Sequence, residues 1–82
     1  MKELKHFSAT WCQPCKRMEP LIKKFLEENP DIVYTKFDAD AEPSVFEKND
    51  IRGVPAFIAV NGDESKFHQG VATEDQLKAL FG

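Results

Sequence analysis

The chain has 82 residues, enough for a single domain over residues 1–82 with one modest core. Its formal net charge of −3 gives no general attraction to nucleic acid or to an anionic membrane. No apolar run approaches membrane-spanning length, and none follows Met1-Lys2-Glu3-Leu4-Lys5-His6 to make a signal peptide, so a reducing, cytoplasmic setting is expected.

Lys2 to Ser8 reads as a first strand, with Leu4, His6 and Ser8 pointing one way and Lys5 and Phe7 the other. His6 has two readings. One is a partly buried histidine with an ordinary hydrogen bond. The other is a group lying behind the cysteines that takes up a proton.

Ala9 to Lys16 follows, and it holds both cysteines of the chain, Cys12 and Cys15. Zinc would need a further pair of cysteines or histidines at suitable spacing, and His6 and His68 are the only histidines. No metal is expected. As a purely structural staple, a bridge across so short a loop removes only about 2 kcal/mol of unfolded-chain entropy. A pair of thiols that opens and closes a disulfide is the reading that remains.

Cys12 falls where a helix begins, and Pro14 suits the first helical turn, where a missing N–H costs nothing. Met18, Leu21, Ile22, Phe25 and Leu26 then form a helical stripe, with Lys16, Arg17, Lys23, Lys24 and Glu27 mostly off it. Pro20 is expected to kink this helix without ending it. Asn29-Pro30-Asp31 closes it.

Ile32 to Asp38 is rich in β-branched and aromatic residues and reads as a strand. Val33, Thr35 and Phe37 share one face; Ile32, Tyr34, Lys36 and Asp38 share the other. Strand, long helix, strand implies a parallel βαβ unit. A short helix is expected within Asp40–Asn49, packing on Val45 and Phe46. Ile51-Arg52-Gly53-Val54-Pro55 leads into the apolar run Ala56–Val60, a buried strand whose entrance tolerates Pro55. Asn61-Gly62 is expected to form a two-residue type I′ turn. It would join that strand to Glu64–Gln69 as a hairpin with Phe67 facing inward, and Gly70 would end the second strand. Thr73 with Gln76 three residues on reads as a capping box for a final helix carrying Leu77, Leu80 and Phe81 on its apolar face.

Trp11-Cys12-Gln13-Pro14-Cys15-Lys16, Gly53-Val54-Pro55 and Gly70, at these separations, resemble the thioredoxin family over nearly the whole chain, from about Phe7 to the C-terminus. The resemblance implies an α/β thioredoxin-like fold in the order βαβ-(α)-ββα, a mixed four-stranded sheet with helices on both faces. It also implies a monomeric thiol–disulfide oxidoreductase with no bound cofactor, whose redox group is the Cys12–Cys15 disulfide. Cys12, at the helix N-terminus, is expected to be the nucleophile, because free N–H groups and the helix dipole there favour a thiolate. Cys15 is expected to be the resolving thiol, which attacks the mixed disulfide and releases the reduced target. Trp11, Gln13, Pro14, Val54, Pro55, Gly70 and Val71 are expected to meet the substrate. Pro55 is expected in cis, and the Val54 backbone is expected to pair with an extended target segment. The partners implied are disulfide-containing proteins and an electron donor, either a flavin- and NADPH-dependent thioredoxin reductase or glutathione.

The chain departs from the family pattern in three places. It begins almost at the motif, which suggests a minimal version lacking an initial strand and helix. Gln13 stands between the cysteines where the family usually has glycine. By spacing from Trp11, His6 falls where the family has a buried aspartate, and Lys36 falls on that aspartate's lysine partner. Asp38, on the same strand face, is an alternative partner for Lys36. Two rival functions share this pattern: a glutaredoxin-like reductase served by glutathione, and a non-catalytic binding module of the same shape.

Overall fold

The computed structural model describes residues 1–82 and orders them as β1 (Lys2–Ser8), α1 (Gln13–Glu28), β2 (Ile32–Asp38), α2 (Pro43–Lys48), β3 (Ala56–Asn61), β4 (Glu64–Gln69) and α3 (Glu74–Leu80). The strands form one four-stranded sheet in the order β2-β1-β3-β4. β1 and β2 run parallel; β3 runs antiparallel to both β1 and β4. The sheet is therefore mixed, as expected.

Strand alternation sends β1 in two directions and so builds two cores. Leu4 packs with Met18, Ile22 and Phe25 of α1, Phe57 of β3 and Leu77 of α3. Phe7, on the opposite side, packs with Phe46 of α2, Ile51 and Ala56. Helices thus cover both faces. The α1 stripe buries Cys15, Met18, Ile22 and Phe25, and the helix runs on through Pro20. Leu21 and Leu26 only border the core.

The capping box before α3 is fully formed. Gln76 N–H donates to Thr73 Oγ1 at 3.1 Å, and Thr73 N–H donates to Gln76 Oε1 at 2.8 Å. Thr73→Ala is expected to cost about 1 kcal/mol, read as a lower urea midpoint with an unchanged slope.

The hairpin differs from expectation in two details. Asn61 stays in the ladder, opposite Lys2 on one side and Glu64 on the other, so the loop is Gly62-Asp63 rather than Asn61-Gly62. Gly62 alone of the two has a positive φ, 64°, which fits glycine at the first position of a type II′ turn and not the two positive values of type I′. Asn61 is held in the strand from a distance, because its side-chain amide donates to the Phe81 carbonyl at 3.1 Å. The second detail is Phe67, which is 54% exposed and not inward-facing. It lies opposite Ile58, on the α2 side of the edge strand. With only six residues, α2 leaves that end of the face uncovered.

Candidate active site

α1 begins directly beneath the loop that leaves β1. Cys12 is the N-cap residue, with extended backbone (φ −87°, ψ 105°), and its N–H donates to the Ala9 carbonyl at 3.1 Å. Its sulfur occupies the place an oxygen takes in an ordinary cap, accepting the Cys15 N–H at 3.2 Å. Pro14 sits in the first turn, and no carboxylate does. The first turn therefore offers a sulfur anion its backbone dipoles, and no acidic side chain there opposes them. Cys12 and Cys15 are joined as a disulfide, with Cα atoms 5.3 Å apart. Both are buried, within a small cluster formed with Ala9 and flanked by Ala39 and Val54.

Trp11 stands beside this bridge 63% exposed, which excludes a core role for it. With Pro43, Phe46, Ile51 and Val54 it borders an open, largely apolar groove of about 300 Å3. Gln13 and Pro14 are exposed on the helix mouth. The Val54–Pro55 peptide is cis, as expected. Neither the N–H nor the C=O of Val54 is used by another backbone group. The Pro55 carbonyl accepts the Gly70 N–H at 2.8 Å, tying the loop before β3 to the turn after β4. Gly70 has φ +92°, a conformation that side chains disfavour, so the turn selects glycine there. Val71 is exposed, and its carbonyl lies 3.2 Å from His68 Nε2.

A sequence profile of the thioredoxin family matches residues 2–81. The chain belongs to the thioredoxin family. It is 35% identical over 77 residues to a putative thioredoxin 2 of Streptomyces coelicolor, covering 93% of this chain and 58% of that protein. It is 32% identical over 72 residues to a thioredoxin of Ophiophagus hannah, covering 88% of this chain and 69% of that one. The oxidised crystal structure of mitochondrial thioredoxin 3 from Saccharomyces cerevisiae superposes with a TM-score of 0.87 at 28% identity, over 96% of this chain and 76% of that one. The chain thus spans a little over half the length of the Streptomyces relative.

Where the thioredoxin pattern carries its buried acid, His6 is fully buried and stacked on Phe57, with ring centroids 4.7 Å apart. Its Nδ1 lies 2.9 Å from the Tyr34 hydroxyl, and its Nε2 is buried with no partner. Burial, and then the Lys36 ammonium, push its pKa down to about 4, against a smaller opposing pull from Glu19. His6 is therefore neutral at pH 7. Lys36 sits directly across the ladder from His6, yet its ammonium bonds Glu19 of α1 at 2.6 Å. Asp38 does not partner it. The Asp38 carboxylate accepts the N–H groups of Asp40 (2.8 Å) and Ala41 (3.1 Å), closing the turn after β2. Glu19, held low by that lysine, and Tyr34, pushed by burial to about 12, are members of the site that the spacing alone does not reveal. The readable signal for Tyr34 was its place on the Lys36 face of its strand; its contact with His6 is a diagonal one across the parallel pair, since Tyr34 is registered opposite Leu4.

No group of three or more His, Cys, Asp or Glu side chains is placed to hold a metal ion, and no helix is long and apolar enough to cross a membrane.

Proposed function

We propose that this chain is a thiol–disulfide oxidoreductase that reduces protein disulfides through a Cys12/Cys15 dithiol–disulfide cycle. The observation that carries the reading is the Cys12 sulfur at the cap of α1, accepting the Cys15 N–H. In the reduced state the same position favours a thiolate, which attacks one sulfur of the target in line and forms a mixed disulfide. Cys15, one turn further in, then attacks the Cys12 sulfur. Its electron pair makes the intramolecular bridge, and the target sulfur leaves with the electrons of the broken bond. His6, neutral and with Nε2 unpartnered, takes the proton that Cys15 must lose.

Targets lie along Trp11 and the groove beside it, over Gln13 and Pro14, with an extended segment paired to the free Val54 N–H and C=O and resting against Pro55, Gly70 and Val71. Lys36 acts through its ion pair with Glu19, which sets the charge beside His6. The partners are disulfide-containing proteins and a flavin- and NADPH-dependent reductase, in a reducing cytoplasmic compartment.

Reduction of insulin disulfides tests the reading. The reduced chain should catalyse it with NADPH and a thioredoxin reductase, and its first thiol should react with iodoacetamide at neutral pH faster than free cysteine does. Turnover with glutathione alone would favour the glutaredoxin-like reading. No turnover with either donor would favour a binding module.

A further inference from the structure

The groove beside Trp11 is apolar at its floor and charged at its rim. Phe46 and Ile51, both buried, lie at the bottom, and the exposed side chains of Trp11, Glu47 and Arg52 stand around it. The two rim charges are not equivalent. Arg52 Nε donates to Asp50 at 3.2 Å, so its guanidinium already has a partner. Glu47 takes part in none of the chain's ion pairs. Helix stability does not account for it either. Glu47 lies in the last turn of α2, where the helix dipole disfavours a carboxylate.

The surroundings give this carboxylate a sign of field to match. From Asp38 to Asp50 the chain carries Asp38, Asp40, Glu42, Glu47 and Asp50 against one lysine, Lys48. The mouth of α1, on the other face of the sheet, carries Lys16 and Arg17, with no acidic residue in its first turn. A target lying over Cys12 therefore meets a negative rim on the α2 side and a positive one on the α1 side. An apolar floor, an indole that is 63% exposed and an unpaired carboxylate together match one type of side chain. A guanidinium rests its planar head on an aromatic face, bonds a carboxylate through two parallel N–H groups and carries an apolar stem. Lysine supplies the stem and the charge but not the planar fork. We infer that this groove is a side-chain subsite for arginine, in which Glu47 selects protein disulfides that carry an arginine beside the reactive cysteine.

The assignment rests on the oxidoreductase reading and names its substrate class; the exchange at sulfur is the one already described. A set of short alanine-based peptides tests it. Each has one cysteine capped as a mixed disulfide with thionitrobenzoate, and arginine, or its uncharged isostere citrulline, at one of the positions within two residues of that cysteine. The Cys12 thiolate bonds the peptide sulfur, and the thionitrobenzoate anion leaves with the electrons of the broken bond and is read by its colour. The measured quantity is the ratio of second-order rates, arginine over citrulline, within each protein, so that any general change in activity cancels. At one position the wild type is expected to prefer arginine by about tenfold, the sum of an exposed ion pair and a cation–π contact. Glu47→Gln should cut the preference to about threefold, leaving the part owed to Trp11, and Glu47→Lys should bring it to about one or below. Glu47 is exposed, so neither substitution disturbs the core. A wild-type ratio below about twofold at every position, or a preference that survives Glu47→Lys undiminished, overturns the subsite while leaving the oxidoreductase reading intact. Failure of the reduced wild type to release thionitrobenzoate from any peptide removes that reading, and the subsite with it.

Discussion

Cys15→Ser protein is expected to stall at about one target per chain, covalently held on Cys12 and released by dithiothreitol. Turnover of insulin should fall by at least about 10³-fold, the scale on which removal of a catalytic nucleophile acts. The asymmetry follows from the helix mouth. Cys12 caps α1 and Cys15 lies inside the first turn, so the two sulfurs differ in how much of the helix's N-terminal dipole each meets. A thiolate at the cap can still attack when its neighbour is serine, but the adduct then has no internal thiol to displace it. Cys12→Ser should lose turnover equally and form no adduct. Mass spectrometry of the two variants after incubation with a disulfide peptide reads the difference directly. An adduct on Cys12→Ser and none on Cys15→Ser would exchange the roles of the two residues.

The elements that sequence reading placed well are those whose cause is local. Lys2–Ser8 and Ile32–Asp38 are strands over the expected residues because each is short, β-prone and bounded by turn or helix-starting residues. α1 starts at the cysteines because Pro14 permits only the first turn there, and Thr73-Gln76 formed its box because both bonds lie within one turn. The turn after β3 slipped by one residue because Asn61 answers to Lys2, Glu64 and Phe81, none of which the Asn-Gly pair can signal. Phe67 went outward for a similar reason. Whether an apolar residue on an edge strand is covered depends on the reach of the helix opposite, and α2 is short.

The site divides in the same way. Cys12, Cys15, Trp11 and the Gly53-Val54-Pro55 turn are legible as a contiguous motif and a second short one. The charge arrangement behind them is not, because it is built from three elements. His6 faces Lys36 through register, Lys36 turns to Glu19 of α1, and Tyr34 reaches diagonally to His6. Spacing from Trp11 placed two potential cations side by side. The fold separates them by burying one neutral and pairing the other with a carboxylate at the surface.

That neutral burial has a cost at low pH, which is the second large effect expected. In the unfolded chain a histidine titrates near 6.5; in the folded one His6 titrates near 4. Between those values the unfolded state binds the extra proton, so stability is lost as pH falls from 6.5 towards 4 and the loss levels off below that. The full loss is about 3 kcal/mol at 1.36 kcal/mol per pH unit, a large share of the stability of a small domain. Other carboxylates protonate over part of the same range, so the wild-type curve alone does not isolate His6. His6→Phe does, because the aromatic ring keeps its stack on Phe57 and cannot titrate, while water can serve the half-buried Tyr34 hydroxyl. Urea unfolding of both proteins at pH 7.5 and pH 4.5 should show the variant gaining most of that 3 kcal/mol relative to wild type at the lower pH. Parallel curves at the two pH values would mean that His6 is protonated in the folded chain with ordinary affinity, and that the ring is neither as dry nor as opposed by Lys36 as its position implies.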